Sequence, residues 1–267
     1  MFDEIVAIRS GGEMGTAVAH KLHRCGFKVL ILEVKKPSFI RSEVAFAKAV
    51  YQDNAEVEGV TAVRINDLNE LEDVWKMGSI PIFIDPNCTA LHYINASVVV
   101  DATLAKINIG TNREMATLTI ALGPGYEAGV DVDVVIETNR GHNLGRLILE
   151  GYSEKNTGVP GDIMGFTEER VLRAPKRGII KTLMEIGESV SKGQVVAFVD
   201  GVEIKARIDG ILRGIINDDF FVEKGLKIGD IDPRGKREYC YTISDKGRTI
   251  AGAVLEAILM KINNCPF

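Results

Sequence analysis

The sequence predicts an α/β protein: a parallel-sheet domain, then a small all-β domain, then one C-terminal helix. Three observations lead there. Up to about residue 150, short apolar runs alternate with helical patterns. A stretch rich in Gly, Asn, Pro and Ser follows at 151–165. Beyond it, short strands alternate with glycine-centred turns.

Composition sets the frame. The 267 residues are 46% hydrophobic and 26% charged, which suffices for a sizeable core and excludes disorder as the main state. Lys plus Arg is 32 against 37 Asp plus Glu, a net charge of -5, so nucleic acid is not an expected partner. No apolar run approaches the ~20 residues that cross a bilayer, so no membrane partner is expected. The acidic start Met1-Phe2-Asp3-Glu4 is not a signal peptide. Cys25, Cys88, Cys240 and Cys265 are too far apart for a Cys-x-x-Cys metal or redox motif. They read as reduced thiols of a cytoplasmic protein, and no metal site is expected.

Residues 4–8 form an apolar run expected of a buried parallel strand. A glycine turn follows, then a helix ending at Gly26, then a second apolar strand at 28–33. This is a βαβ unit. The dinucleotide fingerprint wants glycines at relative positions one, three and six. Ser10, Gly12 and Gly15 occupy them, with Gly11 between, so the match is partial. The helix N-terminus behind the turn favours an anion. Glu33, ending the second strand, stands where an acid could bond ribose hydroxyls. Residues 1–150 are therefore expected to be a Rossmann-like nucleotide-binding domain, with a cofactor at Ser10, Gly11, Gly12, Gly15 and Glu33.

Residues 38–51 carry apolar side chains at helical spacing, with Arg41 and Lys48 near the mouth of the turn. Further strands are expected at 80–84, 97–100 and 133–136, each ending in polar residues. Ligands of open α/β sheets bind outside the carboxyl ends of strands. That rule gathers Asp101, Lys106, Asn108, Thr111, Glu137, Arg140 and His142 into one candidate cleft. No nucleophile–base pair stands at a diagnostic spacing, so no catalytic residue is assigned. Residues 120–125 read as a strand breaking into a Gly-Pro-Gly turn.

Residues 151–168 read as a linker, and 169–240 as the small β-domain. Asp230 and Asp232 read as part of a solvated loop paired to arginine rather than as metal ligands. Ser244-Asp245 opens a helix within 241–267, with Ile250, Val254 and Ile258 on one face, expected to pack on the first domain.

Gly187-Glu188-Ser189-Val190 through Ala197, and Glu203-Ile204-Lys205-Ala206 through Leu212, resemble the two halves of the biotinyl/lipoyl-carrier fold. The resemblance implies a biotinyl/lipoyl-like β-barrel. In carriers a hairpin bears the modified lysine. Here Val199-Asp200-Gly201-Val202 is short and Lys205 does not match that lysine, so no biotin or lipoate attachment is implied.

The chain also resembles the YqeB family. The residues that carry this are Arg9-Ser10-Gly11-Gly12-Glu13-Met14-Gly15-Thr16-Ala17, Gly141-His142-Asn143-Leu144-Gly145-Arg146, Asn156-Thr157-Gly158 and Lys227-Ile228-Gly229-Asp230-Ile231-Asp232-Pro233-Arg234. These resemble accessory proteins of selenium-dependent molybdenum hydroxylases. The resemblance implies a bacterial cytoplasmic factor that matures a xanthine-dehydrogenase-like client. It also implies likeness to the Rossmann domain of xanthine dehydrogenase accessory factors, and a molybdopterin-type cofactor as ligand. Two other readings stay open: an NAD(P)-dependent oxidoreductase, supported by Glu33 and the βαβ unit, and a non-catalytic scaffold. The sequence does not decide the oligomeric state.

Overall fold

Apolar runs bounded by glycine and polar residues become the central strands. In the computed structural model, which describes residues 2–266, the chain forms two compact units. The first comprises residues 1–37, 45–156 and 243–267; the second comprises 38–44 and 157–242.

In the first unit, β1 (Ile5–Arg9), α1 (Glu13–Arg24) and β2 (Lys28–Glu33) form the βαβ unit. Then come α2 (Ala49–Gln52), β3 (Asn54–Val57), β4 (Val60–Ile65), α3 (Leu71–Lys76) and β5 (Ile80–Ile84). β6 (Ala96–Asp101), β7 (Leu118–Leu122), β8 (Glu127–Ala128), β9 (Val134–Ile136), β10 (Leu147–Ile148) and β11 (Gly151–Tyr152) follow. One sheet of nine strands has the order β10-β9-β7-β6-β1-β2-β5-β4-β3. Its middle strands are parallel and buried over most of their length, as their apolar runs require.

The second unit holds β12 (Val171–Arg173), β13 (Gly178–Thr182), β14 (Ser189–Val190), β15 (Val195–Val199), β16 (Val202–Lys205), β17 (Gly210–Ile215), β18 (Phe221–Val222) and β19 (Lys227–Asp232). They make two antiparallel sheets, β12-β19-β17-β14 and β16-β15-β13-β18. Leu212, Ile228 and Ile231 from one sheet share a core with Ile180, Val196 and Val222 from the other.

These sheets correct the expected Rossmann-like parallel sheet followed by a biotinyl/lipoyl-like barrel. The large sheet is mixed, because β3 and β10 pair antiparallel at its two edges. A two-residue turn, Glu58-Gly59, both at positive φ, folds β3 onto β4. Such a turn can only build a hairpin, whereas parallel strands need a long crossover. The β5–β6 and β6–β7 connections carry only 3₁₀ turns in place of the crossover helices of a doubly wound domain. The second unit is a pair of separate sheets, since β14 and β18 are two residues long and join no ladder that would close a barrel.

Residues 38–51 are not one helix. Two 3₁₀ turns at Ser42–Val44 and Phe46–Lys48 precede the short α2. The apolar spacing is met instead by burial: Phe39, Val44, Phe46, Ala47 and Val50 all point into cores. Arg41 belongs to the second unit, where its guanidinium donates to the Tyr239 and Thr242 carbonyls at 2.8 and 3.0 Å. Asp230 and Asp232 lie on buried β19 rather than on a solvated loop, although the arginine pairing is present. Lys205 is an exposed strand residue paired with Glu203 at 2.7 Å.

The last helix, α4 (Asp245–Ile262), lies in the first unit. Ser244 caps it, accepting the Gly247 amide at 3.2 Å, and donates to Glu13 of α1 at 3.1 Å. Gly247 has no side chain, which lets α4 approach α1 closely: a Cβ there would stand 3.0 Å from the Ala17 methyl. No helix among the described residues is long and apolar enough to cross a membrane.

Candidate functional site

The sheet order places β1 between β2 and β6. The chain runs outward from β1 through β2 to one edge, then returns beside β1 as β6. Open α/β sheets leave a crevice at the carboxyl end of strands where the order reverses this way. The glycine turn lies there.

Ser10 takes the left-handed conformation, φ 80°, that a glycine would adopt without strain. Its hydroxyl accepts the Gly12 amide at 3.2 Å, a local bond a glycine could not supply. The Gly11 carbonyl accepts the Thr16 hydroxyl at 2.8 Å and the Ala47 amide at 2.9 Å. Thr16 in turn accepts the Phe46 amide at 2.8 Å. The turn is thus bound to α1 and to the 3₁₀ turn at Phe46–Lys48.

The three glycines differ sharply. A Cβ at Gly15 would sit 2.0 Å from the Ser10 carbonyl oxygen, so Gly15 is required for α1 to pack on β1. A Cβ at Gly11 would meet the Ala47 amide nitrogen at 2.9 Å. At Gly12 the nearest neighbour is the Ser10 hydroxyl at 3.5 Å. Gly12 is therefore the open position, at the N-cap of α1, whose first amides have no intrahelical acceptor.

Glu33 is buried, with one carboxylate oxygen accepting the Gly11 amide and the other the Val34 amide, both at 2.7 Å. Burial pushes its carboxyl above the ordinary range, while these amide bonds and Ser10 oppose the shift. The acid closes the turn from within instead of standing open to a ribose.

A second polar group lies at the ends of β1 and β6. Arg9, 7% exposed, pairs with Asp101, which is fully buried, at 2.9 Å. Arg9 also donates to Thr111, and Thr111 donates to Asp101. Thr103 gives Asp101 its amide at 3.0 Å and its hydroxyl at 2.6 Å. The buried Cys88 thiol adjoins Arg9 and is pushed up to about 11 by burial, with Arg9 opposing and Asp85 and Asp101 adding to the rise. Tyr126 is fully buried, and its hydroxyl has no hydrogen bond of ordinary geometry among the described residues, although Asp101 and Thr103 adjoin it. Burial, then the Asp101 charge, raise its pKa.

Most of the remaining predicted residues have partners of their own. Lys106 and Asn108 lie on the exposed loop between β6 and β7. Asn108 organises that loop, accepting the Gly110 and Thr111 amides and donating to the Thr111 carbonyl at 2.9 Å. Glu137 is buried and accepts the Asn139 and Glu154 amides at 2.6 and 2.7 Å. It lines a separate cleft of about 460 Å³ with Arg146, Leu149, Tyr152 and Glu154. Arg140 forms a bidentate pair with Asp245, the first residue of α4, at 2.8 and 3.0 Å. His142 is exposed.

The structure thus brings Ser10, Gly11, Gly12, Gly15 and Glu33 into one turn and joins Asp101 to Thr111. Arg140 pairs with Asp245, whose neighbour Ser244 bonds Glu13 just after the turn, while Glu137 lines the separate cleft and His142 is exposed. Arg9, Cys88 and Tyr126 were not among the predicted site residues. Arg9 alone left a trace in the sequence, as the charged residue ending an apolar strand just before the glycine turn. Among the described residues, no group of three or more His, Cys, Asp or Glu side chains could hold a metal ion.

No protein-family model matches the chain. The YqeB protein of Escherichia coli strain K12, described there as uncharacterized, is 49% identical over 257 residues, which is 96% of this chain and 48% of that protein. The chain spans about half the length of the curated relative it matches. Among solved structures, it is similar to the product-bound ectoine utilization protein EutE (DoeB) from Ruegeria pomeroyi, at 13% identity and TM-score 0.25, covering 76% of this chain and 57% of that one. An aspartoacylase family protein from Mesorhizobium loti is 9% identical, with TM-score 0.26 and coverage of 85% and 84%. At such scores neither likeness bears on function. The 49% identity along nearly the whole chain supports its membership of the YqeB family.

Proposed function

We propose that this chain binds an anionic, nucleotide-like ligand at Gly12 and the N-terminus of α1. One observation carries the reading: of the three glycines in the turn at the β1 crevice, only Gly12 would carry a Cβ without a clash, its nearest neighbour being the Ser10 hydroxyl at 3.5 Å. The helix end beyond it favours negative charge. A phosphate fits this cradle, and the backbone amides of the first helical turn would hold it.

The resemblance to selenium-dependent molybdenum hydroxylase accessory proteins supports a more specific role. In it the chain is a maturation factor, the ligand is a molybdopterin-type cofactor, and a xanthine-dehydrogenase-like hydroxylase is the client. When bound, such a cofactor would supply the molybdenum chemistry to the client, and this chain would hold its phosphate end. Against the NAD(P)-dependent oxidoreductase stands Glu33, whose two oxygens already accept backbone amides.

Thermal shift of the purified protein against NAD, NADP, ATP, CTP and molybdopterin nucleotides tests the reading. A ligand at ~100 times its Kd stabilises by about 2.7 kcal/mol, which shifts Tm visibly. A shift with cytidine or pterin species, lost in Gly12→Val, is the expected result. A shift with the nicotinamides alone would favour the oxidoreductase. A shift that survives Gly12→Val unchanged would remove the turn as the site, and no shift with any ligand would favour the scaffold.

A further inference from the structure

Residues 103–111 form a strap between β6 and β7, and a single carboxylate holds both of its ends. One Asp101 oxygen accepts the Thr103 amide and hydroxyl; the other accepts the Thr111 hydroxyl and Arg9. Between these anchors residues 104–110 are exposed. Leu104, Ile107 and Ile109 present apolar side chains to solvent, Ile107 at 65% exposure. Leu104 and Lys106 hold left-handed backbone, at φ 53° and 66°, which costs energy unless the surroundings impose it. The strap begins beside the candidate ligand site: the Ala102 methyl would lie 3.3 Å from a Cβ at Gly15. It passes over the end of β7, where a Cβ at Gly125 would meet the Ile107 amide nitrogen at 2.5 Å.

A strained, apolar, exposed strap held by one buried carboxylate has the features of elements that switch between two arrangements. The second arrangement has its donor in place. The Tyr126 hydroxyl lies buried beside Asp101 without a well-formed hydrogen bond of its own. It can replace Thr111 on the carboxylate when the strap lifts.

We propose that residues 103–111 are a lid at the β1 crevice, latched by Asp101 through Thr111. An anion at the glycine turn attracts Arg9, the residue before Ser10, and weakens its hold on Asp101 and Thr111. Tyr126 then takes the vacated carboxylate oxygen and the lid opens. The latch stands on the contacts above; only the anion trigger rests on the proposed function.

Thiol labelling reads the latch, because Cys88 is buried beside Arg9. In the full chain, with the exposed Cys25 and Cys265 changed to serine, iodoacetamide labelling is followed at Cys88 and Cys240 by peptide mass spectrometry. Cys240 reports unfolding of the second unit, and the urea midpoint of Trp75 fluorescence reports unfolding of the first, which holds Cys88. Thr111→Val removes the anchor and leaves Asp101 charged; Asp101→Asn weakens the whole latch. The expected result is labelling of Cys88 at least about tenfold faster in both variants, with Cys240 unchanged, and slower labelling than wild type in Tyr126→Phe. Wild-type rates at Cys88 in Thr111→Val, or an acceleration at Cys88 no larger than the fall in the Trp75-detected stability of the first unit accounts for, would overturn the lid. Pyrophosphate is then added to the wild-type lid. Faster Cys88 labelling that Gly12→Val abolishes supports the trigger. No response, with the variant effects intact, overturns the trigger and leaves the latch standing.

Discussion

The Glu33 carboxylate accepts the Gly11 amide at 2.7 Å, so the acid that ends β2 closes the turn that ends β1. Its other oxygen accepts the Val34 amide at 2.7 Å. Glu33→Ala leaves two amides without their acceptor. The Gly11 amide is buried, and an unsatisfied buried donor costs about 1–3 kcal/mol, whereas the amide of the exposed Val34 can turn to water. Urea unfolding followed by the fluorescence of Trp75, the single tryptophan, is expected to show a loss within that range. An unchanged midpoint would mean that water replaces the carboxylate at no cost.

Gly12 and Gly15 lie three residues apart and predict opposite outcomes. Gly15→Ala drives a methyl to 2.0 Å from the Ser10 carbonyl, so α1 must shift off β1. Overpacking of this kind costs typically 1–3 kcal/mol and sometimes more. Gly12→Ala makes only ordinary contact, 3.5 Å from the Ser10 hydroxyl, with φ at -65°, which alanine adopts freely. Its expected cost is under about 1 kcal/mol, from the poorer N-cap. Comparing the two variants in one urea series checks the geometry of the turn without any ligand.

Asp230 is buried among Arg170, Arg213 at 3.9 Å and Lys227 at 3.7 Å. Removing its charge leaves buried arginine uncompensated, which is far costlier than losing an exposed pair. Asp230→Ala is expected to destabilise the second unit by about 3–5 kcal/mol. Far-UV circular dichroism is the suitable probe, because Trp75 lies in the first unit. A loss below about 1 kcal/mol would show that the arginines reach water.

Burial lowers the pKa of His20 and His23, both on α1, with bonding to the Glu58 and Gly78 backbones opposing the shift. In the unfolded chain each takes a proton near 6.5; in the fold each resists it to lower pH. Their contribution to stability is therefore fully present above 6.5 and is lost as pH falls below it. Midpoints of Trp75-detected unfolding are expected to fall from pH 7.5 to pH 5.5 (a range set by the ~6.5 reference value). The double variant His20→Gln, His23→Gln should flatten that slope; an equally steep slope would assign the loss to other groups.

Much of the first unit was legible in its sequence. The βαβ unit is read from the apolar runs at 4–8 and 28–33 with glycines between them, because a buried parallel strand leaves little choice of residue. Hairpin β3–β4 was missed although Ala55, Val57, Val60 and Ala62 alternate, since strands of four and six residues give a weak periodic trace. The helical spacing at 38–51 misled, because burial at successive 3₁₀ turns imitates a helical stripe. Of the site, the glycine turn was legible and the Arg9–Asp101–Thr111 cluster was not.

By itself the sequence determined the strand, glycine turn, helix and strand of residues 4–33, which glycines that turn needs, and that Ser244 starts a helix. Those are local matters of φ, capping and apolar period. Tertiary structure alone decided that Glu33 faces Gly11, that Asp101 anchors both ends of the 103–111 strap, and that the large sheet has antiparallel edges. Each joins groups far apart in the chain, 92 residues in the case of Arg9 and Asp101. Such a pairing is set by the order in which strands assemble, which no local pattern encodes.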